Sequence, residues 1–408
     1  MDKDHILNKI KSFFSDSIWS ILALMMLNII SQFIVYPVWS RYYGNEKYGN
    51  IVYAMSLVNI CAVSVGVALN YARMSESSKR TTVNGDYNIP LVGFGFLSSI
   101  FCFFMVLYGN IGMTVLEAIV VAILCFVTVC RYYADVEYRL NLNYKGYFIY
   151  YLIISFGYAI GIILFKATKC WPIALLIGEI FGIIWIVIKG RLFRNLFKIS
   201  KNWKINIRAI LILILTNLIS NIIFNGDRLL LQYLIGGVAV TIYYLASLVG
   251  KTMSLITTPL NSVCIGYLVK YRGDIKKSLI NFLFVITILG IILGTVVGVI
   301  GSHILIQVLY PQTYDLVKGY FVIGTLTQVL YFVCNIVTTV LLRIAKENIQ
   351  LIINGIYAVL FILLCIPSTL YWGIRGFCIA LLIVNLLRYF IAIAFCYAAI
   401  KNKSVKGK

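Results

Sequence analysis

Polar and charged side chains recur at helical spacing inside otherwise apolar stretches of this chain. One stripe alternates in steps of three and four residues, which places its members on one face of a helix. It consists of Tyr244, Ser247, Lys251, Ser254 and Thr258. A lysine near the middle of a membrane-length helix costs about 2.5 to 3.5 kcal/mol, so Lys251 is by default a functional residue. Its ammonium group can bind an anion through charge-assisted hydrogen bonds.

Three further stripes have the same spacing. They are Asn28, Ser31, Gln32 and Tyr36, followed by Arg41; Asn217, Asn221, Asn225 and Arg228; and Gln328, Tyr331, Asn335, Thr338 and Thr339. Any single amide among them is more often a hydrogen-bond partner for a neighbouring helix. Arg388, which follows Asn385 by one turn, is a second cation inside an apolar stretch. It either faces a polar cavity, snorkels to the interface or forms an internal ion pair.

Acidic residues inside the apolar stretches are fewer than the cations. They are Glu117, Glu179 and Asp227. These carboxylates either pair with cations or carry coupling protons, and Asp227 beside Arg228 favours a local ion pair. The interior is therefore expected to be net positive, which suits an anionic group such as a phosphate or pyrophosphate.

The elements that position these residues are predicted to be membrane-spanning helices. The chain has 61% hydrophobic residues, 12% charged residues and a mean hydropathy of +0.94, whereas a soluble domain is about one quarter charged. Each crossing needs about 20 apolar residues. We predict an all-α integral membrane protein with 12 helices at 18–38, 48–70, 90–109, 113–133, 147–165, 171–189, 207–227, 238–260, 279–300, 317–342, 349–371 and 375–399.

The distribution of Lys and Arg predicts the orientation. With 12 crossings both termini lie on one side, and 26 of the 35 Lys and Arg residues fall on that side against 7 on the other. Because basic residues concentrate in cytoplasmic loops, both termini are predicted to be cytoplasmic. The net charge of +21 then reflects this bias and attraction to anionic headgroups. No nucleic-acid motif accompanies the charge, so no nucleic-acid partner is expected.

The longest polar break divides the chain into two six-helix halves. We predict an amphipathic cytoplasmic N-terminus at 1–17, an N-terminal lobe at 18–189, a basic linker at 190–206, a C-terminal lobe at 207–399 and a basic tail at 400–408.

Residue patterns for catalysis or metal binding are absent from the sequence. The two histidines, His5 and His303, do not form part of a cluster, and the 10 cysteines lack paired or metal-ligand spacing. We expect no catalytic residue, no metal and no cofactor.

The segment QFIVYPVWSRYYGNEKYGNIVYAMSLV at 32–58 resembles the opening signature of the polysaccharide-transporter family. Further stretches are similar in the same order: LNYAR at 69–73, YRLNLNYKGYF at 138–148, DRLLL at 227–231, YYLASLVGKTMSLITTPLNSV at 243–263 and LYP at 309–311. They resemble Wzx-type O-antigen and capsule repeat-unit flippases of the multidrug/oligosaccharidyl-lipid/polysaccharide (MOP) exporter superfamily. The resemblance covers about residues 15–345, and its motifs are specific only in their order.

This resemblance implies a MATE-like fold of two six-helix bundles in the bacterial inner membrane. It implies a flippase, not an enzyme, that moves undecaprenyl-diphosphate-linked repeat units of O-antigen or a related polysaccharide to the periplasmic leaflet by alternating access. By position, Arg41, Arg228 and Lys251 would contact the pyrophosphate. Arg388, which lies beyond the stretch of resemblance, is expected to contact it as well. Gln32, Asn221, Gln328 and Asn335 would line the cavity. The implied partners are membrane lipids, a polysaccharide polymerase and a chain-length regulator, with H+ or Na+ coupling typical of relatives.

Three alternatives remain open from the sequence. A multidrug or organic-cation antiporter of the same superfamily would need an acidic, aromatic cavity. A lipid II or teichoic-acid precursor flippase would share the cationic cavity. A membrane enzyme of glycan assembly is the more distant reading, because no exterior loop exceeds about 18 residues.

Overall fold

The chain is almost entirely helical in the part that the computed structural model describes, which is residues 3–77, 79–109, 111–253, 277–344 and 348–406. No strand occurs within these ranges. The helices are α1 Lys3–Ile30, α2 Tyr36–Ala62, α3 Ala68–Ser77, α4 Gly85–Tyr108, α5 Val115–Leu140, α6 Tyr144–Thr168, α7 Ile173–Lys189, α8 Trp203–Leu234, α9 Gly237–Thr252, α10 Lys277–Leu309, α11 Tyr314–Val317, α12 Phe321–Ile344, α13 Asn348–Leu360 and α14 Ile366–Lys406. The predicted all-helical class is confirmed.

Eight helical stretches of the described chain are long and apolar enough to cross a membrane. They are Ser17–Ser77, Gly85–Tyr108, Val115–Leu140, Tyr144–Thr168, Trp203–Leu234, Ile280–Leu309, Tyr314–Leu341 and Ile352–Ile400. They indicate a multi-pass membrane protein. The count of 12 crossings and the cytoplasmic termini stay predictions.

Two glycines break the helical backbone inside the longest stretches. Gly44 in α2 has φ 73° and Gly373 in α14 has φ 59°, a region that side-chain-bearing residues rarely adopt. Both lie in gaps that the sequence predicts between spans, at 39–47 and 372–374. At each end of the chain, one long helical stretch therefore contains two of the predicted spans.

Proline accounts for two of the three π-helical turns among the described residues. The turns Ser31–Val35 and Phe361–Cys365 end two residues before Pro37 and Pro367. A proline ring clashes with the carbonyl of the residue four positions earlier, and a widened turn relieves that clash. The third π turn, Val63–Val67, contains no proline.

The chain forms two compact units, Met1–Leu229 (unit 1) and Leu230–Lys408 (unit 2). The boundary falls inside α8, whereas the sequence places the division at the 190–206 linker. The predicted lobes therefore stay a prediction.

Glycines allow α6 and α7 of unit 1 to pack closely. A Cβ atom on Gly157 would overlap the Cα of Gly178, and one on Gly161 would overlap the carbonyl of Ala174. Glycines four residues apart thus let two backbones approach without intervening side chains.

The basic segment 190–202 is fixed to the start of α4. Asn84 donates hydrogen bonds to two of its carbonyl oxygens at 2.9 and 2.7 Å, and Asn88 donates to a third at 2.9 Å. The carboxylate of Asp86 accepts from the backbone N–H of Ser200 at 2.8 Å. These bonds make the segment part of the folded structure of unit 1.

In unit 2, α12 is the central helix. It packs against α9, α10 and α14. The core there is mostly aliphatic and includes Val333, Val337, Ile353 and Ile393. Tyr389 of α14 lies in the same core, where its hydroxyl pairs with Thr287 of α10 at 2.6 Å.

Candidate functional site: a buried arginine in unit 2

Three helices of unit 2 surround the side chain of Arg388. Its Nη2 donates to the Oδ1 atoms of Asn335 at 3.1 Å and Asn354 at 3.3 Å. The guanidinium carbon lies 4.7 Å from the ring centre of Tyr331 and 5.1 Å from that of Tyr357. We call these five residues the Arg388 cluster.

Helix periodicity explains why the cluster forms. Tyr331 and Asn335 are four residues apart on α12, and Asn354 and Tyr357 are three apart on α13, so each helix presents one aromatic ring and one amide on the same face. Arg388 reaches them from α14. Helices α12 and α13 thus supply equivalent pairs of groups to a single cation.

The cluster stabilises the guanidinium group without neutralising it. Arg388 is 5% exposed, and its Nε and Nη1 atoms have no hydrogen-bond acceptor among the described residues. Ring faces and amide oxygens interact favourably with a cation, yet they carry no net charge. An unpaired buried charge is costly.

Acidic residues are scarce in unit 2. Its sequence contains 14 Lys and Arg residues but only Asp274, Asp315 and Glu347 as acids. Asp315 is paired with Lys318 at 2.7 Å near the surface. Asp274 and Glu347 lie outside the described residues. No described carboxylate of unit 2 therefore pairs with Arg388, and the chemistry of the cluster favours anion binding.

The two other sequence-predicted site residues of unit 2 are Gln328 on α12 and Lys251 near the end of α9. Gln328 is buried and its Nε2 donates to the hydroxyl of Tyr243 on α9 at 3.0 Å. Lys251 is half-buried, one residue before α9 ends at Thr252. Its stripe neighbours Ser254 and Thr258 fall outside the described residues. Within unit 2, the structure brings two predicted residues, Asn335 and Arg388, into direct contact.

The polar stripe of α8 belongs to unit 1 and bonds largely within its own helix. Asn221 Nδ2 donates to the Asn217 carbonyl at 2.8 Å, and Asn225 Nδ2 donates to the Asn221 carbonyl at 3.0 Å. Arg228 ends the stripe, where its Nη1 donates to Ser56 Oγ of α2 at 3.0 Å.

Three remaining predicted residues occupy different environments in unit 1. Asp227 is buried, and its Oδ1 accepts from the backbone N–H of Arg228 at 2.9 Å. Gln32 is half-buried in the π turn Ser31–Val35, and Arg41 is exposed on α2.

Glu117 and Glu179, the two other predicted carboxylates, are buried and paired in unit 1. Glu117 forms a capping box with Thr114 at the start of α5 and an ion pair with Lys47 at 3.0 Å. Glu179 lies 2.9 Å from Arg131 Nε and accepts from the Tyr158 hydroxyl at 2.6 Å.

Sequence reasoning missed a buried network that continues from this pair. The sequence predicts that Arg131 lies at the cytoplasmic end of a span, in contact with water. In the structure α5 continues to Leu140, and Arg131 is only 5% exposed. Its Nη1 donates to Tyr151, whose hydroxyl donates in turn to Asp135 at 3.1 Å. The signal in the sequence is the spacing of Arg131, Asp135 and Arg139, four residues apart on one helical face.

Three buried cysteines form the one group of potential metal ligands among the described His, Cys, Asp and Glu residues. The Sγ atoms of Cys61, Cys102 and Cys125 lie within 4.8 Å of one another, and those of Cys102 and Cys125 are 3.6 Å apart. Thiols alone suit only soft cations. The three side chains pack between α2, α4 and α5 as small apolar groups, and the expectation of no metal stays a prediction.

Solved structures of MATE family transporters have a similar fold. An inward-facing multidrug resistance MATE family transporter of the MOP superfamily aligns with a TM-score of 0.70 at 13% identity, over 94% of this chain and 98% of that chain. An outward-facing multidrug resistance MATE family transporter aligns with a TM-score of 0.61 at 14% identity, over 96% of each chain. The bent form of the Vibrio cholerae MATE transporter VcmN aligns at 0.59 and 13% identity, over 97% and 98%.

These similarities show the fold alone, because the sequences share so little identity. No family model matches the chain, and no curated protein matches it. The predicted MATE-like fold is confirmed.

Proposed function

We propose that this protein is a membrane transporter, not an enzyme, and that its cargo is anionic. The buried Arg388 carries this proposal, because a cation without a carboxylate partner among the described residues of its unit needs an anion. The fold supports transport by alternating access, since the similar solved structures include inward-facing and outward-facing transporters.

Within that class we propose a flippase for undecaprenyl-diphosphate-linked repeat units of O-antigen or a related surface polysaccharide, in the bacterial cytoplasmic membrane. The diphosphate supplies the negative charge that the cationic residues attract. Amide side chains such as Asn335 and Asn354 can hydrogen-bond sugar hydroxyls, and tyrosine rings offer flat apolar faces. The finer assignment rests on the sequence resemblance at 32–58 and the motifs that follow it.

A multidrug exporter is the second candidate, because the similar structures are multidrug transporters. An organic cation would require an available carboxylate. The buried carboxylates Glu117 and Glu179 are each engaged by a cation, Lys47 and Arg131 respectively. The charge pattern of the described residues therefore favours the anionic cargo.

The test is reconstitution of the purified protein in liposomes with two cargoes. One is a fluorescent polyprenyl-diphosphate oligosaccharide, whose transfer between leaflets is followed by dithionite quenching. The other is an organic cation dye. We expect the first to be moved and the second not, and we expect Arg388→Gln to abolish lipid transfer while Arg375→Gln, an exposed arginine of the same helix, retains it. Dye export without lipid transfer would overturn the proposal.

Cells deleted for the gene provide the second test. Wild type should restore surface polysaccharide, whereas Arg388→Gln at equal membrane abundance should accumulate cytoplasm-facing lipid-linked units. Repeat-unit export that is unaffected by the deletion would contradict the flippase assignment.

A further inference from the structure

We infer that the Arg388 cluster holds a small monovalent inorganic anion of the chloride class whenever cargo is absent, and that the cargo diphosphate displaces this anion. The inference deepens the proposed function and rests on it for the displacement step. The anion site itself rests on the geometry of unit 2 alone.

Charge is the first part of the argument. The guanidinium of Arg388 carries one positive charge. Its neighbours in the cluster are two amides and two tyrosines, and the nearest described carboxylate of unit 2, Asp315, is exposed and paired with Lys318. Water could accept the free N–H bonds but would leave the charge uncompensated. A bound anion satisfies both requirements.

Size is the second part. The rings of Tyr331 and Tyr357 lie 4.7 and 5.1 Å from the guanidinium carbon, and the side chain is 5% exposed. A diphosphate with its lipid and sugar chains needs the tyrosines or Asn335 and Asn354 to move aside. A single spherical ion needs much less room, and it accepts N–H bonds from any direction.

The consequence is competition for one cation. Because Arg388 offers one positive charge, the resident anion and the cargo diphosphate cannot both be neutralised by it. Binding of cargo on one side of the membrane would release the small anion there. Raising the chloride concentration at constant ionic strength should therefore slow cargo transfer.

Thermal unfolding of the purified full-length protein tests the site without any cargo. Wild type is compared in sodium chloride and in sodium gluconate at equal sodium concentration, and bromide serves as a second small anion. A ligand that binds only the folded state raises its stability with concentration. We expect the melting temperature to be about 2 to 4 °C higher in 0.3 M chloride than in gluconate, with a saturable dependence.

The variants separate this site from general salt effects. Arg388→Gln should remove the difference between the two salts, whereas the exposed Arg375→Gln should retain it in full. Equal melting temperatures of wild type in both salts would overturn the inference, as would a full chloride response in Arg388→Gln. If Arg388→Gln does not fold, equilibrium binding of radioactive chloride to wild type tests the site instead. We expect about one ion bound per protein, and a value near zero would refute the site.

Transfer assays distinguish failure of the site from failure of the proposed function. Lipid transfer that requires Arg388 but ignores chloride leaves the flippase and removes the displacement step, whereas a wild type that binds no chloride removes the site. Saturable chloride binding that requires Arg388, in a protein that moves no diphosphate-linked lipid, leaves the site and removes the displacement step together with the proposed function.

Discussion

Replacement of Glu179 by glutamine should destabilise unit 1 by about 3 to 5 kcal/mol, the usual cost of leaving one member of a buried ion pair without its partner. The side chains of Arg131 and Glu179 are 6% and 2% exposed and lie 2.9 Å apart. In Glu179→Gln the direct contacts that remain for the guanidinium are the Tyr151 hydroxyl at 3.2 Å and the Tyr132 ring at 4.1 Å. For a unit of this size the melting temperature should fall by about 6 to 20 °C.

The assay is thermal unfolding in detergent, with Glu46→Gln as the matched control because Glu46 is exposed. The double variant Arg131→Met with Glu179→Leu removes both charges and should recover most of the lost stability. A loss below about 1 kcal/mol in Glu179→Gln would refute the reasoning. So would a double variant that loses as much as the two single variants combined.

Three further changes test local features of unit 1 and unit 2. Thr114→Ala removes the capping box of α5 and should cost about 1 kcal/mol in chemical or thermal unfolding. The added Cβ of Gly178→Ala would overlap the backbone of α6, so this variant should lose at least about 1 to 3 kcal/mol of stability. Gly290→Ala, with nothing within 4 Å of the added atom, should be neutral or stabilising. Fluorescence-detected size exclusion after heating compares the two variants. Asn84→Ala removes two of the hydrogen bonds that hold the 190–202 segment and should speed tryptic cleavage there several-fold, as followed by mass spectrometry.

Most of the fold could be predicted from the sequence, because membrane helices must satisfy their own backbone hydrogen bonds and so appear as long apolar runs. The error at Arg131 has a physical cause. The prediction of orientation assumes that a cation marks the end of a helix that faces water. That assumption fails for Arg131, because a carboxylate two helices further along the chain neutralises its charge. Glu179 is 48 residues from Arg131, so no local pattern reports the pairing.

The candidate site was partly predictable. The sequence identifies Asn335 and Arg388 as polar residues inside apolar spans, and the structure places them in contact. It does not identify Asn354 and Tyr357, because one amide and one ring three residues apart cannot be distinguished in sequence from ordinary helix packing. Only the convergence of α12, α13 and α14 shows that these two complete the Arg388 cluster.

The bonds between the start of α4 and the chain after α7 can form only late in synthesis. Asp86 accepts hydrogen bonds from Ser200 and Asn206, which follow it by 114 and 120 residues. At about 5 to 20 residues per second, the ribosome needs about 6 to 24 s to deliver those partners. Until then the carboxylate, which is fully buried in the finished protein, must remain hydrated. The amino end of α4 therefore stays at the water interface while three further helices are inserted, and it is sealed only as the first half of the chain is completed.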